Sequence, residues 1–409
     1  MLLDRVGGRR HMVAAVVAGL LLRLAFGLIY WNGKPLTHDE REYLSLAASV
    51  AEGRGFVYDS SFEVGTGQQF GRAPGYPLFL AAIGAGGADP AGTPTRVKLA
   101  QALVGAAAVW VVGLLGVRAA GERSGAVAAW LAAVHPPLVI MPAYVLSETL
   151  YSTIALASAV VLHDAVAAPD RAGAGRARGA LAGGLCGLGA LVRPAMLLFL
   201  PLAVLWLAFR RRYTLALVVS AAAVLTILPW TIRNFRVYDR FVLIASEGGV
   251  TFWTGNHPLA IGEGDLAANP VIKRAELEFR RAHPGLSTEA LEPLYYRDSL
   301  AHIRTQPARW AGLLARKAFY FTVPIGPSYA LHSTNYRAAS IVPYLLLLPF
   351  AVAGARRLAR RSPRPASLFL LAGSTVLMCL IFFPQERFRI PVVDPTLIVC
   401  ASALAGRRQ

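Results

Sequence analysis

The sequence predicts an all-α polytopic membrane protein of about ten transmembrane helices, and three observations carry that prediction. Apolar residues make up 55% of the 409-residue chain and charged residues only 16%. Several apolar runs reach the roughly 18 to 20 residues that a bilayer-crossing helix needs, a length soluble core helices rarely keep. The basic residues gather in short links between those runs: Arg5, Arg9 and Arg10; Arg118 and Arg123; Arg171, Arg176 and Arg178; Arg210, Arg211 and Arg212; Arg356, Arg357, Arg360, Arg361 and Arg364; Arg407 and Arg408. Cytoplasmic loops carry that signature. It also accounts for the net charge of +18 without a nucleic-acid partner, because the charge lies at loop ends.

The first apolar run, Met12 to Tyr30, is long for a signal-peptide core and runs into a polar loop without a small-residue cleavage site. It is expected to remain as the first helix, with Tyr30-Trp31 as an interfacial anchor. Arg23 lies inside it, where a charge costs roughly 2.5 to 3.5 kcal/mol on insertion scales. It must snorkel, pair, or line a polar path.

The loop 31–95 follows on the outer side. Asp39-Glu40 opens a helix whose Tyr43, Leu44, Leu46, Ala47 and Val50 fall at helical spacing, so two carboxylates sit near a positively polarised helix start. Gly53 and Gly55 end it. Arg72-Ala73-Pro74-Gly75-Tyr76-Pro77 is rigid and leads into apolar Leu78 to Ile83, a segment suited to the membrane surface. A carboxylate to take a proton and a cation to hold a phosphate are the minimum for moving a group off a phosphorylated donor. The plainer roles for the same residues are a helix cap for Asp39-Glu40 and a headgroup anchor for Arg72.

Two apolar runs come next, the second interrupted at His135-Pro136-Pro137. A further helix starts near Ser147-Glu148, which places Glu148 at the same surface as Asp39. Gly183-Gly184, Gly187 and Gly189 permit close helix contact. Arg193-Pro194 marks an outer turn, and the run 215–228 leads out to Pro229-Trp230. Residues 231–310 lose hydrophobicity and mix charges, as in a small external soluble insert. Its glycine-, aromatic- and amide-rich entry, with Asn256 and His257, suits either a sugar or headgroup lid or a turn-rich cap. The segment 310–323 is amphipathic and interfacial. The turn Gln385 to Pro391 is outside by parity yet basic, an exception that an anionic ligand at Arg387 and Arg389 would explain, as would an ion pair with Glu386. The three units are thus a catalytic transmembrane module (1–230), the insert (231–310) and a C-terminal unit (311–409), with both termini cytoplasmic. Cys186, Cys379 and Cys400 sit in apolar runs without ligand spacing, so neither a disulfide nor a zinc cluster is expected. No phosphate-binding loop, dinucleotide fingerprint, metalloprotease or nucleophile-elbow motif occurs.

Taken in order, the acidic pair with Tyr43, Leu46-Ala47 and Gly53-x-Gly55-Phe56, then Arg72 to Pro77, Leu146-Ser147-Glu148, Arg193-Pro194, Trp230 to Asn234, Gly255-Asn256 and Glu386 to Pro391, resemble the GT-C superfamily of polytopic glycosyltransferases. The branch most similar contains the bacterial aminoarabinose transferases of lipid A and the protein O-mannosyltransferases. The resemblance implies a bacterial plasma-membrane enzyme with an extracytoplasmic active site. It implies a sugar donor on a polyprenyl phosphate, a lipid, glycan or protein acceptor, and transfer with inversion. It makes Asp39 the general base with Glu40 beside it and Glu148 the second acidic residue. Arg72, Arg387 and Arg389 are then expected at the lipid phosphate, and Tyr76, Arg193, Asn256 and His257 at the substrate. A divalent metal on Asp39, Glu148 and His257 is a further expectation, although Gly71 stands where the relatives have a metal-associated Glu. A lipid transporter or flippase, or an idle scaffold of the same fold, are the alternatives.

Overall fold

Leu2–Ala25 form the first helix, α1, which continues through a π turn, Phe26–Tyr30. Its exposed Val13, Val17 and Leu21 recur every fourth residue, an apolar stripe for lipid, while Met12 and Ala15 face inward. The computed structural model describes residues 2–58, 71–86, 92–168, 173–264, 268–360 and 365–406, with side chains from Gly7 onward. Arg171, Arg361, Arg364, Arg407, Arg408, the Arg5 side chain and the loop segments 59–70 and 87–91 therefore lie outside the described residues.

Two short helices follow, α2 (His38–Ala51) and α3 (Gly75–Ala82), packed on each other. Then come α4 (Thr95–Ala120), α5 (Glu122–Val134) and α6 (Pro136–Ile140). His135-Pro136-Pro137 bends the α5 path by 62°. Pro136 and Pro137 carry no N–H, so the carbonyls of Ala132 and Ala133 lose their helical donors. Arg23 takes those donors' place: its Nη2 donates to Ala132 O at 3.3 Å, and its Nη1 to Ala133 O at 3.4 Å and Gly19 O at 2.8 Å. The break in a neighbouring helix thus supplies two of the three carbonyls that receive the intramembrane guanidinium.

The bundle continues with α7 (Glu148–Ala167), α8 (Gly173–Val192), α9 (Phe199–Phe209) and α10 (Tyr213–Tyr238). The α8 glycines work as their spacing suggests: a Cβ at Gly183 would collide with the Val219 carbonyl of α10. Helices α11 (Gly248–Asn256), α12 (Pro270–Arg281) and α13 (Thr288–Thr305) make up the insert. They share a separate small core of Val250, Trp253, Ile272, Leu291 and Tyr295, to which α14 (Pro307–Thr322) adds Leu313. The chain ends with α15 (Thr334–Ala359), α16 (Ala366–Ile381), α17 (Glu386–Arg389) and α18 (Val393–Ser402). No strand occurs among the described residues.

Five helices (α1, α4, α7, α10 and α15) are long and apolar enough to cross a membrane, and six if the bent α5–α6 pair is one span. The shorter apolar stretches Pro194–Phe209, Ala366–Ile381 and Val393–Ala405 fall below that length. The chain is a multi-pass membrane protein, although the expected ten full spans are not counted by length and composition alone.

Helices α15 and α18 meet backbone to backbone at Gly354, where an added Cβ would run into the Cys400 carbonyl. Gly354→Ala is therefore expected to push the two helices apart and cost about 1–3 kcal/mol. Gly373→Ala, where a Cβ meets nothing within 4 Å, is the control. Equal thermal midpoints for the two variants in detergent would refute this packing.

Candidate active site

The first turn of α2 splits its carboxylates between two faces. Thr37 caps the helix, and Glu40 closes the capping box by accepting from Thr37 N at 2.8 Å. The other Glu40 oxygen accepts from Val145 N at 2.8 Å, so Glu40 joins α2 to the segment before α7 and points away from Asp39. Asp39 and Glu42, three residues apart, share the opposite face. There Arg72 joins three carboxylates. Its Nη2 donates to Asp39 Oδ1 at 2.8 Å, its Nη1 to Glu247 Oε2 at 3.1 Å, and its Nε to Glu42 Oε2 at 3.0 Å, with Nη2 also on Glu42. The Asp39 Oδ2 accepts from Arg387 Nη1 at 2.6 Å.

The approach of Glu247 to Arg72 is built by the chain on either side. Trp230 Nε1 and Asn234 Nδ2 of α10 donate to Ile244 O at 2.9 and 3.1 Å, and Ser246 N donates to Gly71 O at 3.0 Å. A Cβ at Gly71 would collide with Ser246. That contact leaves no room for a side chain at position 71 without moving Ser246.

Burial pulls Asp39 toward neutrality, but Arg387 and Arg72 outweigh it and hold the carboxyl well below the usual carboxylate range. Glu42 is fully buried, and burial pushes it up to about 7 against the pull of Arg72. Burial is the larger effect, so the deepest of the three carboxylates sits near its protonation point.

A cavity of about 540 Å³ opens beside this cluster. Asp39, Arg72, Glu247, Arg387, Glu386 and Lys273 line it, together with Tyr144, Tyr336, His332 and Phe383. Arg387, 33% exposed, donates its Nη1 to Asp39 and its Nε to Gln385 Oε1 at 3.0 Å.

Of the expected site residues, the structure brings Asp39, Arg72 and Arg387 together. The others do not line this cavity. Glu148 is buried and receives Arg193 Nη1 at 2.8 Å; Arg193 also donates to Ser147 Oγ and lies over the Phe388 ring. Glu148 instead borders a pocket of about 20 Å³ beside Arg23, room for about one water. Tyr76 is fully buried, its hydroxyl donating to Gln101 Oε1 at 3.3 Å. Arg389 donates to Asp394 Oδ1 at 2.9 Å, and Asp394 Oδ2 meets His135 Nε2 at 3.1 Å, a buried group under the Tyr344 ring. Asn256 is committed to the C-terminal end of α16: its amide donates to Ile381 O at 2.9 Å, and its Oδ1 accepts from Trp310 Nε1 and the buried Lys317.

The expected metal ligands Asp39, Glu148 and His257 do not meet, because Asp39 and Glu148 are each matched to guanidiniums. Among the described residues His257 groups instead with Asp298 and His302, their ligand atoms within 4.8 Å of one another. Two imidazoles and a carboxylate suit a zinc-like ion by donor type. In the arrangement seen here His257 Nδ1 accepts from Leu259 N at 3.1 Å and Trp253 Nε1 donates to Asp298 Oδ2 at 2.7 Å. Burial, with His302 adding to it, brings His257 down to about 4, so the imidazole is neutral and competent to ligate. None of the three lines the large cavity.

Sequence reasoning missed Glu42, Glu247 and Lys273. The i, i+3 spacing from Asp39 was the available signal for Glu42. Nothing in the sequence separated Glu247 or Lys273 from the other charges of the insert.

No family model matches the chain, and no curated protein matches it. Solved structures do. The oligosaccharyltransferase of Archaeoglobus fulgidus, tethered to an acceptor peptide, superposes with a TM-score of 0.57 at 16% identity, over 96% of this chain and 49% of that one. AglB from the same archaeon, with an inhibitory peptide and a dolichol-phosphate, gives 0.56 at 16%, over 96% and 50%. ArnT from Cupriavidus metallidurans, bound to undecaprenyl phosphate, gives 0.43 at 13%, over 96% and 77%. The chain spans about half the length of the oligosaccharyltransferases it matches. In fold, then, the chain is similar to the membrane-embedded archaeal oligosaccharyltransferase.

Proposed function

We propose that the protein is a membrane glycosyltransferase that moves a sugar from a polyprenyl-phosphate donor to a lipid, glycan or protein acceptor at the outer face of the membrane. The observation that carries the reading is the cavity in which an ionised carboxylate, Asp39, and the guanidiniums of Arg72 and Arg387 occupy one wall. A glycosyl donor with a phosphate leaving group asks for both signs of charge. The anomeric carbon gains positive character in the transition state, and the departing phosphate gains a negative charge.

Held by two guanidiniums, Asp39 supplies a fixed negative charge beside that carbon more than it supplies basicity. Arg387 and Lys273, both on the cavity wall, meet the leaving phosphate. Arg72 keeps the acidic wall assembled. The metal expected from the resemblance has no part in these steps; the His257, Asp298 and His302 group would hold it.

Sugar release from undecaprenyl-phosphate-linked hexoses and pentoses by the purified chain tests the proposal. The wild type is expected to turn over, and Asp39→Asn to lose about 10²- to 10⁴-fold in rate with its thermal midpoint little changed. A flippase moves such lipids between leaflets and leaves the glycosidic bond intact. A wild type that releases no sugar, or an Asp39→Asn protein at the wild-type rate, sinks the reading.

A further inference from the structure

Glu386, the first residue of α17, lies on the cavity wall one residue from the guanidinium that holds Asp39. It is 9% exposed, and among the described residues neither carboxylate oxygen has a hydrogen-bond partner. Ser340 and Tyr336 of α15 stand close enough to favour its charged form, without completing a hydrogen bond of good geometry. The nearby arginine on its own helix, Arg389, gives its Nε to Asp394 and makes no hydrogen bond to Glu386. Among the described residues the other carboxylates that line this cavity, Asp39 and Glu247, are held by Arg72, whereas both Glu386 oxygens are uncommitted.

We propose that Glu386 takes the proton of the acceptor nucleophile. This rests on the transferase reading above. In the step, the acceptor's O–H or N–H proton passes to a Glu386 oxygen as the acceptor's lone pair forms the new bond to the anomeric carbon. The bond from that carbon to the phosphate oxygen breaks, its electron pair leaving with the polyprenyl phosphate. Glu386 ends the step protonated and returns the proton to water once the cavity opens.

The surroundings suit that task. Burial pushes Glu386 up to about 7, with Ser340 and Arg389 pulling against it and Asp394 adding to it. The other groups that feel its charge are the hydroxyls of Tyr144, Tyr329 and Tyr336, none of which ionises near neutrality. A base works best when its proton affinity matches the operating pH. Asp39, pinned far lower by two cations, does not meet that condition.

The test is the pH dependence of sugar release by the full chain, with undecaprenyl-phosphate-linked hexoses and pentoses as donors. In the wild type kcat should rise with pH through a midpoint near 7. Glu386→Gln should lower kcat by about 10²- to 10⁴-fold, erase that rise and leave donor KM within a few-fold. Glu386→Asp, which keeps a carboxylate one methylene shorter, should keep part of the rate and shift the midpoint. A Gln variant within a few-fold of the wild type, or a rise that persists in it, assigns the proton elsewhere and overturns the proposal. Should the Gln variant not fold, an Asp variant whose midpoint does not move overturns it equally. A wild type silent with every donor fails the transferase reading itself, and this inference with it.

Discussion

Arg72→Ala is expected to destabilise the fold by about 3–5 kcal/mol, because it strips three carboxylates of their common cation and leaves Glu42 buried among like charges. The size follows from burial. Arg72 is 12% exposed and Glu42 not at all, so water does not replace the lost partner. Arg72→Lys should recover only part of the loss, since one ammonium cannot reach three acceptors as a planar fork does. The pH dependence has a definite sign. Glu42 already holds its proton in the folded state up to about 7, above the ordinary carboxylate range, and losing Arg72 raises it further. Between the unfolded and folded values the folded state binds more protons, so stability falls as pH rises through that window. The variant should therefore gain thermal midpoint on acidification from pH 8 to 5, and by more than the wild type does. A midpoint equal to the wild type's at pH 8 would show that the guanidinium is dispensable.

Asp394→Ala carries the second large penalty, also about 3–5 kcal/mol. Asp394 is 1% exposed and holds Arg389 on one oxygen and His135 on the other. Without it a guanidinium only 3% exposed keeps its stacking on Tyr344 but loses its ion-pair partner. The same change frees His135, which sits at the bend between α5 and α6, so the loss falls on the junction of α15, α18 and the broken helix. Pairing Asp394→Ala with Arg389→Met should restore much of the midpoint, because an apolar pair removes the buried charge along with its partner. If the double variant melts lower than the single one, the salt bridge is not what Asp394 contributes.

Much of this architecture is legible in the sequence because a bilayer asks for long apolar helices and for arginines at their cytoplasmic ends. The interruption at His135-Pro136-Pro137 and the close α8 contact follow from local signals, whereas the meeting of Asp39 with Arg72 and Arg387 is expected only from the family resemblance and the parity of the loops. What the sequence hides is which polar groups are already spent. Asn256 and Arg389 look like ligand-binding residues in one dimension, yet each is consumed by a buried partner: a helix end for Asn256 and Asp394 for Arg389. Periodicity reports the face a residue occupies, and it does not report what stands opposite. Glu386 shows the converse, a residue whose neighbours in sequence are arginines and whose neighbours in space leave it unmatched.

The bonds from Arg23 to Ala132 and Ala133 join positions 109 and 110 residues apart. Until that later segment is made, the guanidinium has only Gly19 O, on its own helix, of its three carbonyl acceptors. The break at Pro136-Pro137 thus serves an earlier helix as well as shaping its own.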